Sequence, residues 1–333
     1  MPFQNIWGHE KQVSILQSAM ARNRMPHAYL FCGMEGVGKK TTALVVAKAM
    51  NCQKSRFDAC DTCPSCLKID HRNHPDVIRI EPEGQFIRIQ EIRDLQDQMK
   101  FRPFEGGKRV IILVDADKMN SIAANALLKT LEEPTRNNFL ILISSRPYQL
   151  PMTILSRCQQ LRFNPLNRET VFQYLRECHS IAPEPARMLA SSSGGSIGRA
   201  LEMIDEDYLS LRNQMMDRLS DERMKNPLQL LSFVNDFGQD RKIILERLDI
   251  MRICFRDALV YKETTTIDPL FNQDRLPMIR SFADKLSGTD LLRNIITVDR
   301  ACRAIDQNAN KSLTLEAMMF KLALNERAGR AIF

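Results

Sequence analysis

The sequence predicts an α/β chain that turns all-helical: a parallel sheet with helices on both faces, built around a phosphate-gripping loop, then helices to the end. Three observations predict it. A short apolar strand runs into a glycine loop and out into a helix across residues 27–50. Two more apolar runs, "RVIILVD" and "NFLILISS", alternate with helical stretches, as buried parallel strands do. Beyond Pro165 the strand pattern is gone.

Each element follows from its own pattern. Residues 9–23 carry Val13, Ile15, Leu16 and Met20 at helical spacing. "HAYLFCG" (27–33) is a strand entering the loop, and "KTTALVVAKAM" (40–50) is the helix leaving it. "EIRDLQDQMKF" (91–101) is an amphipathic helix, and "KRVIILVDADKM" (108–119) is a buried strand closing on acids. "SIAANALLKTLEEP" (121–134) is a helix, and "NFLILISS" (138–145) is the next buried strand. "RETVFQYLRECHS" and "APEPARMLASSSGGSIGRALEMI" form a small helical unit that ends near residue 205. From 208 onward the chain reads as helices, including "NPLQLLSFVNDF", "KIILERLDIMRICFRDAL" and "LLRNIITVDRACRAID".

Composition sets outer limits. A chain of 333 residues supports two or three domains, and 44% apolar with 26% charged residues is ordinary for a soluble protein. No apolar run reaches membrane-spanning length, and "MPFQNIWGHEKQ" has no signal or transit character, so a cytoplasmic protein without a membrane partner is expected. The formal charge of +7 is compatible with phosphate-rich partners but selects none. Nine cysteines in such a chain point to metal binding or core packing, not to disulfides.

"GMEGVGKKTT" is the phosphate loop with one departure. Gly33, Gly38 and Lys39 match G-x-x-x-x-G-K-[ST], with Gly36 inside the loop, but Lys40 stands where the magnesium-holding hydroxyl belongs. Thr41 is one place further along. Asp115 ends the second strand, where an Asp orients magnesium, but Ala116 follows in place of the acid that positions water. On an extended strand Asp117 faces away from Asp115's neighbour and substitutes poorly. ATP or ADP is the nucleotide such a loop takes, and two departures together predict a degenerate site that turns over poorly.

"NCQKSRFDACDTCPSC" places Cys52, Cys60, Cys63 and Cys66 as C-x7-C-x2-C-x2-C. Four thiolates make a closed tetrahedral shell that suits structural Zn2+. An iron–sulfur cluster and a redox pair are the alternatives. His71 and His74 lie close behind as substitute ligands, although surface positions suit them better. In "TILSRCQQLRF", Arg157 has no obvious pairing context: it is either an arginine finger for a neighbour's nucleotide or a surface arginine in an ion pair.

Several of these blocks together resemble one family. "HAYLFCGMEGVGKK", the four-cysteine loop, "NALLKTLEEP", "LPMTILSRC" and the tail "NANKSLTLEAMMFKLA" (308–323) are similar to the bacterial clamp-loader subunits of DNA polymerase III, of the AAA+ class. The resemblance is strong over residues 1–165, fair over the next unit and loose beyond, except near the end. It implies an AAA+ (RecA-like) core over 1–165, a helical lid over 166–207 and a helical collar over 208–333. The family's motor subunits (gamma or tau) keep both motif residues that are replaced here by Lys40 and Ala116, so this chain looks like the stationary member. The family's S-R-C motif falls on Ser156, Arg157 and Cys158, which implies a finger at Arg157 reaching into a motor subunit's ATP site. Its sensor hydroxyl falls on Ser144 or Ser145. Its second sensor arginine aligns with Gly198, leaving Arg199 one place off. The implied partners are motor subunits and delta in a hetero-pentamer, the sliding clamp, and primed DNA gripped without regard to sequence.

Overall fold

The computed structural model describes residues 2–82, 84, 86–105, 107–135, 137–205, 208–220 and 233–328. The chain forms two compact units: residues 1–181 with 193–200, and residues 182–192 with 201 onward.

The first unit is a five-stranded, fully parallel sheet in the order β2-β3-β4-β1-β5. Its strands are β1 (Ala28–Cys32), β2 (Val77–Ile80), β3 (Arg109–Leu113), β4 (Asn138–Ser144) and β5 (Gln159–Arg162). The three central strands are the three apolar runs of the sequence. Alternate side chains feed two cores, one on each face, as a pleated strand requires. Leu30, Ile111, Leu113, Leu140 and Leu142 pack one face with Ile92, Leu95 and Leu127 from helices α4 (Ile89–Met99) and α5 (Ser121–Glu132). Phe31, Val110, Ile112, Ile141 and Ile143 pack the other with Leu16, Val45 and Val46 from α1 (Glu10–Ala21) and α2 (Lys39–Asn51). A glycine loop after β1 and this strand order give the AAA+ fold that the resemblance implied.

Two short strands went unpredicted. β2, "VIRI", and β5, "QQLR", are four-residue strands at the sheet's two edges, where polar side chains face outward. A further short helix, α3 (Pro64–Asp70), follows the cysteines. The predicted strand at 108–119 ends at Leu113, because Asp115 adopts a left-handed conformation (φ 50°) and Ala116–Lys118 form a 3-10 turn. One buried ion pair sets the sheet's far end. Asp76 accepts from the Phe104 and Glu105 amides at 2.8 and 2.9 Å, and Arg109, 3.5 Å from Asp76, donates to the Gln98 and Phe101 carbonyls.

"RETVFQYLRECHS" forms α7 (Arg168–His179). The following block is two helices, Pro183–Ser192 and Ile197–Asp205, separated at Gly194 and Gly195, both with positive φ. The second unit is helical among its described residues. Helix Arg241–Thr264 starts at Asp240, whose carboxylate accepts from the Lys242 and Ile243 amides, and packs with Leu276–Lys285 and Gly288–Asp306. The predicted tail helix is Lys311–Ala328. Of the predicted helix at 226–237, residues 226–232 lie outside the described residues, as do 206, 207 and 329–333 from the domain limits. Among the described residues, no helix is long and apolar enough to cross a membrane.

Candidate functional site

The sheet's carboxyl edge gathers most of the predicted nucleotide residues, which is where open α/β sheets hold ligands. The loop after β1 is wound to the usual register. Helix α2 begins at Lys39, and the Thr42 amide bonds the Gly38 carbonyl at 2.9 Å, as a regular first turn demands. Lys40 is therefore exposed at the position of the missing hydroxyl, and Thr41 is half-buried one residue on.

Lys39 is buried and folded onto its own loop. Its Nζ donates to the Gly33 and Met34 carbonyls at 2.5 and 2.6 Å. Burial pushes its pKa down, opposed by the nearby carboxylates of Glu35, Asp115 and Asp117. Asp115 accepts from Lys118 at 3.1 Å, and Ala116 is fully buried. Asp117 corrects the expectation from strand alternation. Because the backbone turns at Asp115, Asp117 accepts a 2.5 Å hydrogen bond from the hydroxyl of Ser144, the last residue of β4. Ser145 is half-buried beside it in sequence. Lys39, Asp115, Asp117 and Ser144 thus share one edge of the sheet.

Three contributors to the loop were not legible in the sequence. His9, buried just before α1, has Nε2 2.7 Å from the Val37 carbonyl, so that nitrogen carries the proton and donates. Ser196 donates from its hydroxyl to Glu35 O at 2.8 Å, and the Gly198 amide donates to Gly36 O at 2.9 Å. The two glycines touch backbone to backbone. A Cβ on Gly36 (φ 73°) would meet Ser196 Oγ at 2.3 Å, and one on Gly198 would meet Gly36 Cα at 2.6 Å. Gly198, where the resemblance aligns a second sensor, thus makes a backbone contact, with Arg199 following it; the Arg199 amide bonds the Ser196 hydroxyl.

Burial lowers the pKa of His9 below 6.5, opposed by its Val37 bond and Glu10. The unfolded chain takes up this proton first, so stability is complete above pH 6.5 and drains as pH falls toward the folded value. We expect the urea midpoint to drop between about pH 7.5 and 5.5, and to drop less in His9→Gln. A residual slope remains from His74, whose pKa burial also lowers. An unchanged slope in the variant would remove His9 from this account.

The four predicted cysteines converge. The Sγ atoms of Cys52, Cys60, Cys63 and Cys66 all lie within 4.8 Å of one another, with Cys60 and Cys66 at 4.0 Å. A tetrahedron with zinc–sulfur bonds of about 2.3 Å has edges of about 3.8 Å, so the set fits the ion. The amides of Ser55, Cys63 and Cys66 donate to Cys52, Cys60 and Cys63 at 3.3–3.4 Å, bonds that favour thiolates. The Thr62 amide pulls the Cys60 thiol down to about 5, while burial pushes Cys66 up to about 12. Lys48 of α2, buried between Asp61 (2.6 Å) and Asp70 (2.7 Å), clamps this loop to the sheet's helix layer. His71 is exposed as expected. His74 is not: it is buried, with Nε2 3.1 Å from the Ser65 hydroxyl and Nδ1 accepting from the Asp76 amide.

Arg157 lies outside both clusters, just after the short helix α6 (Met152–Leu155). The expectation that it lacks a pairing context is corrected. Its Nη2 is 2.8 Å from Glu132 Oε1 at the end of α5, and Nη1 donates to Thr153 O at 3.0 Å. The side chains are 36% and 48% exposed, so the pair is worth about 0–1 kcal/mol.

Models of the DNA polymerase III delta subunit match residues 8–167, and of its C-terminal part residues 206–323. The chain is 29% identical to DNA polymerase III subunit delta' of Bacillus subtilis, over 93% of this chain and 94% of that one. It is 26% identical to the B. subtilis subunit tau, over 96% of this chain and 61% of tau. Against the subunit tau of Escherichia coli the identity is 32%, over 62% of this chain and 33% of tau.

Proposed function

The chain belongs to the DNA polymerase III delta-subunit family, and from that premise we propose that it is the delta-prime-type subunit of a bacterial clamp loader. In this reading it is the stationary member of a hetero-pentamer with delta and gamma- or tau-type motor subunits, in the cytoplasm, and the complex loads the sliding clamp onto primed DNA. Residues 1–165 are the nucleotide-loop core, 166–207 the lid and 208–333 the collar through which the ring assembles.

One observation carries the reading: a phosphate loop of ordinary winding whose hydrolytic parts are replaced. Lys40 is exposed where a hydroxyl would hold magnesium, and Ala116 is buried where a carboxylate would position water. Gly33, Gly36, Gly38, Lys39, Lys40, Thr41, Asp115 and the serines 144 and 145 can hold ATP or ADP through the loop amides and the Lys39 ammonium. Phosphoryl transfer then takes place next door, at a motor subunit's triphosphate, with Arg157 completing that site. The similarity to delta' along nearly the full length of both chains supports the same assignment. Cys52, Cys60, Cys63 and Cys66 would hold Zn2+ as a closed structural site, with no open position for chemistry. The surplus positive charge suits sequence-blind contact with the DNA backbone.

The test is ATP turnover by the purified chain, first alone and then assembled with its motor and delta subunits. The expected result is none alone and DNA-stimulated turnover in the assembly. Brisk turnover by the chain alone, abolished by Lys39→Ala, would instead make it a motor.

A further inference from the structure

We propose that Glu132 is a latch for Arg157: its carboxylate holds the guanidinium against this chain's own surface until a neighbouring subunit's nucleoside triphosphate takes the cation over. The proposal rests on reading Arg157 as a finger acting in trans.

Both terminal nitrogens of the guanidinium are engaged within its own chain. It faces Glu132 Oε1 at 2.8 Å, the Thr153 carbonyl at 3.0 Å and the Ser156 hydroxyl at 3.4 Å. Glu132 is the last residue of α5, where the helix dipole adds to the attraction for a cation. A finger serving another subunit's phosphates cannot keep these partners, so each docking event must exchange them.

The exchange is feasible because the resting pair is weak. Both side chains are in contact with solvent, so water and salt screen the carboxylate's hold. A triphosphate offers several charged oxygens that match the planar fork in pairs. The surrounding surface favours the exchange on docking. Tyr148 and Met152, each 77% exposed, belong to the same stretch of chain, and a subunit seated on them removes water from the arginine's surroundings. Lower local polarity strengthens the contact with the phosphates. In the free subunit, the latch keeps the fork parked.

The test uses the complete reconstituted complex and four forms of this chain: unaltered, Glu132→Gln, Arg157→Ala and the double variant. ATP turnover is measured without and with primed DNA over a range of ATP concentrations. Glu132→Gln is expected to raise DNA-free turnover at low ATP about two- to fivefold, the fold-change of an exposed pair in the upper part of its usual range, about 0.4–1 kcal/mol. The gain comes from a lower half-saturating ATP concentration at unchanged maximal rate, and it vanishes in the Arg157→Ala background. If Arg157→Ala lowers turnover while Glu132→Gln leaves it unchanged or lowers it, the latch is wrong and the finger stands. A gain of equal size in both backgrounds also overturns the latch, as a general charge effect. If Arg157→Ala leaves turnover unchanged, the finger and the latch fall together.

Discussion

In the proposed clamp loader, Arg157→Ala is expected to cut ATP turnover at the adjacent motor site by about 10³-fold or more, the worth of an arginine finger in related phosphoryl transfers. The loss follows from charge. The transferring phosphoryl group spreads negative charge over its oxygens, and a planar cation in a water-poor site is what neutralises it. Arg157→Lys is expected to recover little, because a point ammonium reproduces neither the fork nor its reach. Assembly should survive. The residue's own intramolecular pair is exposed and worth at most about 1 kcal/mol, so folding does not depend on it. DNA-stimulated ATPase and size-exclusion chromatography of the reconstituted complex check the two halves together. Full turnover in an intact complex would mean the arginine is a surface residue and nothing more.

On the zinc assignment proposed for the four cysteines, stripping the metal is expected to open the cysteine loop while leaving the sheet folded. The loop has almost no core besides its ligands: its buried cluster is Ala59, Cys63 and Cys66, with Cys52 and Cys60 packed against them. Without a cation, the four converging sulfurs keep only weak amide hydrogen bonds to hold them, and Lys48 loses the geometry that keeps it between Asp61 and Asp70. Cys63→Ser or a strong chelator should therefore lower the melting temperature and expose residues 52–66 to protease. The two cores flanking the sheet do not include the cysteine ligands, so far-ultraviolet circular dichroism should change little. Elemental analysis should find one zinc per chain in the unaltered protein and none in the variant. A chain purified without metal and equally stable would end the zinc assignment.

The features legible in the sequence were local ones. The central strands stood out because burial on both faces demands unbroken apolar runs. The cysteines stood out because one short stretch carries the whole ligand set. The edge strands β2 and β5 were hidden, since four residues with Arg or Gln among them leave no usable period. Asp117 was misjudged because the strand stops two residues before Asp115, and a single left-handed residue redirects the backbone beyond it. His74 was expected at the surface, but Ser65 and Asp76 supply its bonds inside the fold. The Arg157–Glu132 pair, His9 on Val37 and Ser196 on Glu35 join residues that only the tertiary fold brings together.

The meeting of Gly36 with Gly198 imposes an order on biosynthesis. The four-cysteine loop is complete once residue 66 has left the ribosome, but the phosphate loop waits for partners some 160 positions downstream. A nascent chain halted before residue 196 therefore carries an unfinished grip, with Glu35 O and Gly36 O still open to water. Late closure of this kind leaves an interval during translation in which solutes and chaperones can reach a loop that the finished polypeptide covers with its own backbone.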